Sequence, residues 1–293
     1  MSRAFRDGLL ADLDLARRLE WAEACSNIEF VEARARISPA TGAEWIEVAG
    51  AVAMYDGADS PCTQTFGLGM RAALAEADLE LIEEFYRQRG APVFHEVSPL
   101  AEIRVHQMLC RRGYQPVELS SVMFRSPDAG SDDDCGGLAG SEGRDHGSIA
   151  VRIAGAAELS DWARLSAAGW SEFPEYAGVM YDLALVAASR NQALSFIAEI
   201  DGRAVGTAGL SIVDDVALLT GASTLPEFRC RGVQRVLLGR RLAVAKEQGC
   251  RLAMMCALPG SASQRNAERS GFRIAYTRTK WGRRLDRERS EAG

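Results

Sequence analysis

Two periods of apolar residues run along this chain, and the switches between them mark its elements. Residues 8–24 carry apolar side chains at helical spacing and predict a helix. Residues 45–55, Trp-Ile-Glu-Val-Ala-Gly-Ala-Val-Ala-Met-Tyr, read as a strand. Residues 78–89 predict an amphipathic helix stopped by Gly90, and 91–97 a strand. Residues 100–112 predict a second helix, ended by Gly113 before Tyr114 opens another strand. After a polar interval the pattern resumes. Residues 149–153 predict a short strand, and 157–168 and 176–188 predict helices. Residues 194–200 and 204–213 form a hairpin around Asp201-Gly202, a dipeptide suited to a tight turn. Asp214-Asp215 leads into a third strand, 216–224. A loop, a helix over 233–248 stopped by Gly249, and a strand at 251–257 follow. A short helix over 262–270, stopped by Gly271, and a last strand or hairpin at 272–281 complete the order.

The tails of the two halves agree. Each reads helix, Gly, strand, helix, Gly-aromatic: Gly90 to Gly113-Tyr114 in the first, Gly249 to Gly271-Phe272 in the second. This predicts an internal duplication of one α/β unit. Residues 126–148 are Gly-, Ser- and Asp-rich with almost no apolar side chain, the composition of a flexible linker. The expected organisation is therefore 1–125, a linker at 126–148, and 149–285.

The length of 293 residues suits two domains, and 47% hydrophobic with 25% charged residues is ordinary for a globular protein. No apolar run is long enough for a bilayer, and residues 1–14 lack a signal-peptide pattern, so the expectation is a cytoplasmic protein with no membrane partner. Seven scattered cysteines without a CxxC pair predict reduced thiols, and three dispersed histidines predict no metal site. Charge divides unevenly. Residues 1–149 hold 14 Lys/Arg against 25 Asp/Glu, net −11, and residues 150–293 hold 20 against 15, net +5. The basic half suits a phosphate-rich ligand and the acidic half a cationic amine. No basic stripe interleaved with aromatics points to nucleic acid.

The candidate chemistry lies between the strand at 216–224 and the helix at 233–248. The segment Pro226-Glu227-Phe228-Arg229-Cys230-Arg231-Gly232-Val233-Gln234 leads from a strand into a helix N-terminus. Unpaired N–H groups and the helix dipole favour a phosphate there, Gly232 allows close backbone approach, and Arg229 and Arg231 add charge. The segment resembles the cofactor motif of the GNAT-type N-acetyltransferases, Gln/Arg-x-x-Gly-x-Gly/Ala after a strand often ending in Pro-Glu-aromatic. Arg229 and Gly232 match it, while Gln234 stands where the motif has Gly or Ala. The order of elements agrees over about 135 residues.

The resemblance implies two tandem GNAT-like α/β domains, each a mixed, mostly antiparallel sheet flanked by helices, with the second binding acetyl-CoA. It places Arg229, Cys230, Arg231, Gly232, Val233 and Gln234 at the pyrophosphate. It places Ala222, Thr224 and Leu225 beside the pantetheine arm, and Asn266 near the cofactor. It implies direct attack by an amine on the thioester, with no covalent enzyme intermediate. Many members carry a tyrosine about four residues before a Gly-Phe pair; here that residue is Ala267. Glu172, in the loop that often lines the acceptor pocket, is the candidate acceptor-side carboxylate. Tyr176, Tyr181 and Tyr276 are alternative proton carriers. Ser261 and Gln264 read as a helix cap.

The first half lacks the arginine-glycine loop; its counterpart is residues 63–74. His95 shares a strand face with Val93 and Val97 and reads as a satisfied core histidine. The first half is thus expected to be a degenerate copy. The leading expectation is acetyl transfer to a primary amine of a small molecule, with a homodimer as the possible assembly. The alternatives are an acyl-CoA-binding or sensing protein without catalysis, and a protein N-acetyltransferase.

Overall fold

The computed structural model describes residues 11–128 and 149–283. Helix α1 (Leu13–Ile37) starts where the Asp12 side chain accepts the Leu15 N–H at 2.8 Å. It outruns the expected 8–24 because its buried stripe, Leu15, Leu19 and Ala22, continues through Ser26, Phe30 and Ala33. No proline interrupts it before Pro39. At 25 residues it is about 37 Å long, enough to cross many strands.

Strands β1 (Glu44–Val48) and β2 (Ala51–Tyr55) replace the single strand expected over 45–55. Ala49 and Gly50 both take positive φ, 50° and 74°, the two-residue geometry that fits hairpin twist. Alanine gives little turn signal, so the break is invisible in the pattern. Next come β3 (Gln64–Phe66), α2 (Glu76–Gln88), β4 (Val93–Val97), α3 (Ile103–Arg111) and β5 (Gln115–Arg125). The second repeat holds β6 (Ile149–Ile153), α4 (Leu159–Ala168), α5 (Ala177–Ala188), β7 (Ala193–Ile200), β8 (Arg203–Val213) and β9 (Val216–Thr224). It ends with α6 (Val233–Glu247), β10 (Leu252–Ala257), α7 (Ala262–Arg269) and β11 (Arg273–Arg283). Of the segment expected to be a linker, residues 129–148 lie outside the described residues.

Among the described residues eleven strands form one sheet, in the order β1-β2-β3-β4-β11-β5-β10-β9-β8-β7-β6. The duplication is visible in the pairing. In each repeat the two strands joined through a helix run parallel, β3 with β4 across α2 and β9 with β10 across α6, while the remaining ladders are antiparallel. The terminal strands are exchanged. β11, last in the chain, lies against β4 of the first repeat, and β5 lies against β10 of the second. β5 and β11 then pair with each other and join the halves.

Side chains alternate between two faces. Val216, Leu218, Leu252 and Met254 pack with Leu15, Leu19 and Ala22 of α1. Ala217, Leu219 and Ala253 pack with Val233, Leu237 and Val244 of α6 on the other face. Burying one such leucine contributes roughly 1.5–3 kcal/mol. The sheet therefore has a face crossed by α1, which comes from the first repeat, and a face covered by α6.

Candidate functional site

The site begins where β9 and β10 part. They pair only from Val216–Leu252 to Leu218–Met254. β10 stays with β5 through Ala257, and β9 stays with β8. No ladder joins residues 219–224 to residues 255–257, so the sheet opens between them. A bulge assists the divergence. Thr207 lies opposite Ser223 and Gly209 opposite Thr220, which leaves one extra residue on β9. Gly221 takes the kink at φ 60°. Arg241 of α6 is 4% exposed and donates to the carbonyls of Gly209 at 3.2 Å and Thr220 at 3.4 Å, the cross-strand pair at one end of the bulge. Burial without a carboxylate partner pushes its pKa down to about 10.

Past Thr224 the chain turns through Pro226 into α6. Cys230 and Gly232 are both left-handed, φ 61° and 85°. Gly232 is the N-cap and brings no side chain to the first-turn N–H groups of α6, whose first turn holds no acidic residue. The helix thus presents unfilled donors, the usual seat of a phosphate. Arg231 and Arg203 both stack on Phe228, at 5.0 and 4.8 Å, and Arg203 also pairs with Glu227 at 2.9 Å. Arg229 donates to Glu172 and, at 2.7 Å, to the Gly169 carbonyl, tying this loop to the segment between α4 and α5. Gln234 donates to Thr224 Oγ1 at 2.6 Å.

Residues 222–234 of the sequence-predicted set lie along this junction, and the others lie around or away from it. Arg229, Cys230, Arg231 and Gly232 are exposed, Val233 is buried and Gln234 half-buried. Ala222 is exposed at the bulge, and Thr224 is buried. Leu225 is half-buried, with its N–H bound to the Val205 carbonyl. Asn266 is exposed on α7. Ala267 is 1% exposed and packs in the core under α6. Glu172 is exposed and engaged by Arg229. Trp170, Phe173, Tyr176 and Val179 are exposed apolar groups on or beside the same segment. Tyr181 pairs with Ser160 at 3.2 Å, whereas Tyr276 is buried and donates to Glu20 at 2.8 Å.

Two groups escaped the sequence reading. Arg241 breaks the apolar stripe Val233, Leu237, Val244, and that violation was its signal. Arg278 of β11, with Glu20 and Glu23 of α1, forms a buried charged cluster assembled from opposite ends of the chain. Burial raises the Glu20 pKa to about 7, ahead of the lowering effect of Arg278.

The first repeat presents a different helix start. The first turn of α2 holds Glu76 and Asp78, and Asp78 accepts the Ala75 N–H at 2.8 Å. Asp78 thus fills a donor of the kind that α6 leaves free and disfavours an anion there, while Glu76 is engaged by Arg111 at 2.9 Å and Arg112 at 3.1 Å. His95 is buried as expected, but not satisfied: neither ring nitrogen has a partner among the described residues. Burial lowers its pKa to about 3, so it stays neutral.

Residues 157–272 match the family model described as Acetyltransferase (GNAT) family. A GCN5-related N-acetyltransferase from Kribbella flavida is similar at 18% identity and a TM-score of 0.60, over 88% of this chain and 96% of that one. A tandem GNAT protein from the clavulanic acid biosynthesis pathway is similar at 13% identity and a TM-score of 0.58, over 94% and 96%. At these identities the likeness establishes the fold, and it spans both repeats. No curated protein sequence matches the chain. Among the described residues no group of His, Cys, Asp or Glu is placed to hold a metal ion, and no helix is long and apolar enough to cross a membrane. The six described cysteines are free.

Proposed function

We propose that the chain moves the acetyl group of acetyl-CoA to a primary amine of a small molecule, a reading supported by the match of residues 157–272 to the acetyltransferase (GNAT) family model. The observation that carries this reading is the junction of β9 and α6. An uncapped helix N-terminus on Gly232 lies at the end of a strand whose edge, beyond Leu218, has separated from β10. The first-turn N–H groups, with Arg231 and Arg235, fit a pyrophosphate. The unladdered edge of β9 leaves backbone groups for an extended amide-bearing arm. When bound, acetyl-CoA supplies a thioester open to direct attack.

The chain's own work is binding, orientation and proton handling. Arg229 would exchange Glu172 for a phosphate. Arg241 holds the bulge from below and so fixes the β9 backbone beside the gap. The acidic first repeat favours a cationic acceptor. The test has two readouts on one protein: the melting temperature with acetyl-CoA, and thiol release with a panel of primary amines. Binding with amine-dependent release supports the transferase. A second reading, acyl-CoA binding without turnover, draws on Ala267, since α7 carries no tyrosine and that position is buried. A thermal shift without release for any amine selects it.

A further inference from the structure

On the face opposite α6, α1 covers a charged group that the phosphate side of the site does not use. Arg278 is 2% exposed and meets three carboxylates, Glu23 at 2.8 Å, Glu96 at 2.9 Å and Glu20 at 3.3 Å. Lys280 approaches Glu96 at 3.9 Å. Three carboxylates against two cations leave one negative charge in excess. One oxygen of Glu20 accepts from Tyr276 at 2.8 Å, but the other is buried with no hydrogen-bond partner among the described residues. An unpaired polar oxygen in a dry site is costly, and a cationic donor is what it lacks.

The cluster stands at the open end of the sheet. Cys256 belongs to the stretch of β10 that has left β9, and its Sγ lies 3.3 Å from the Glu23 carboxylate. Glu23 keeps 14% of its side-chain surface, and Glu20 sits behind it, one helical turn back and 2% exposed. A carboxylate with some remaining exposure and a fully buried one thus lie one helical turn apart beside the part of β10 that has left β9, on the face away from α6.

We propose that Glu23 and Glu20 seat the acceptor: Glu23 contacts its ammonium group, and Glu20 takes one proton from it. This rests on the acetyl-transfer reading above. The freed lone pair forms the N–C bond as the C–S bond breaks, and the C–S electron pair leaves on sulfur. The second N–H proton ends on that sulfur, and Glu20 returns the first to solvent. Burial supports the base assignment by holding the Glu20 pKa near neutrality. The groups around it are Glu23 on α1, Tyr276, Arg278 and Lys280 on β11, Cys256 on β10 and Glu96 on β4. On this reading the repeat without a phosphate loop supplies acceptor recognition to the other.

The test compares wild type with Glu23→Gln and Glu20→Gln, both of similar shape, using ethanolamine, putrescine and lysine methyl ester as amines and n-butanol as the neutral probe. Calorimetry in the presence of CoA reads binding, and thiol release reads turnover; the thermal shift with CoA confirms that each variant is folded. Expected is amine binding by wild type, none of n-butanol, and weakening of about ten-fold or more in Glu23→Gln, the scale of one charged hydrogen bond. Glu20→Gln should remove the ionisation near neutral pH from kcat/KM. Unchanged amine affinity and pH profile in both variants, or no amine bound by wild type, would overturn the seat. Turnover that persists unchanged overturns the seat but leaves the transferase standing. Glu23-dependent amine binding without turnover removes the transferase and leaves the seat.

Discussion

Arg229 is where the proposed phosphate site can be tested at a single residue. It is held by Glu172 and by the Gly169 carbonyl, and a phosphate would have to displace the carboxylate. An exposed ion pair of this kind contributes about 0–1 kcal/mol, so removing it should tighten acetyl-CoA binding by at most about five-fold. Glu172→Gln is therefore expected to lower the KM for acetyl-CoA modestly with kcat retained; a large loss of kcat would instead make Glu172 the acceptor-side carboxylate. Glu20 supplies a second prediction. Its folded pKa, about 7, exceeds the ordinary 4.5, so the folded state keeps a proton that the unfolded chain has lost. Its contribution to stability is full below about 4.5 and is lost as pH rises through about 7. Glu20→Gln cannot ionise, so variant stability relative to wild type should rise by on the order of 3 kcal/mol between pH 4.5 and 8. Urea midpoints across that range read this, and a flat difference refutes it. His95, lowered to about 3, has the opposite slope, rising from about 3 to 6.5, and it cancels because both proteins share it. The loop residues were legible because they are contiguous. Glu20 and Arg278 were not, because their partnership is made by the fold between the first helix and the last strand.

At the scale of elements, local chemistry decided what could be read. Asp201-Gly202 announced its hairpin, whereas Ala49-Gly50 makes the matching turn of the first repeat with a residue that gives no such signal. The helix at 233–247 was readable from its glycine start and glycine stop, and its N-terminus yields a prediction. Gly232 has φ 85°, and a Cβ there would meet nothing within 4 Å. The cost of Gly232→Ala is then conformational, about 1 kcal/mol, with a melting temperature lower by a few degrees. If the N-terminus of α6 seats the pyrophosphate, acetyl-CoA affinity should fall further, by about ten-fold, equivalent to about 1.4 kcal/mol. The matching prediction for the first repeat is silence. Glu76 and Asp78 already occupy the start of α2, so Glu76→Gln should leave the acetyl-CoA affinity unchanged.

At the scale of the whole molecule, periodicity revealed two copies but could not say which neighbour each strand takes. The terminal strands β5 and β11 look like the last strands of their own repeats, yet each lies in the other's half of the sheet. β11 pairs with β4 from Thr279–Val97 to Arg283–Val93 and with β5 from Arg273–Phe124 to Gly282–Gln115, so it fills a slot between two strands of the first repeat. Removing it would expose two long edges of unpaired N–H and C=O groups, a template for aggregation. α1 adds a second tie, with Arg34 bonded to Asp56 of the first repeat and Asp182 of the second, both at 2.7 Å, and Arg18 bonded to Asp215 at 2.8 Å. The repeats should therefore fold as one cooperative unit. A protease site inserted between residues 128 and 149 and then cleaved should give two fragments that co-elute and keep their acetyl-CoA thermal shift. They should part only in denaturant. Residues 149–293 expressed alone lack the strand that covers β10, and should be insoluble or bind acetyl-CoA far more weakly than the full chain. A soluble, fully binding second repeat would show instead that the exchanged strands are dispensable to the site.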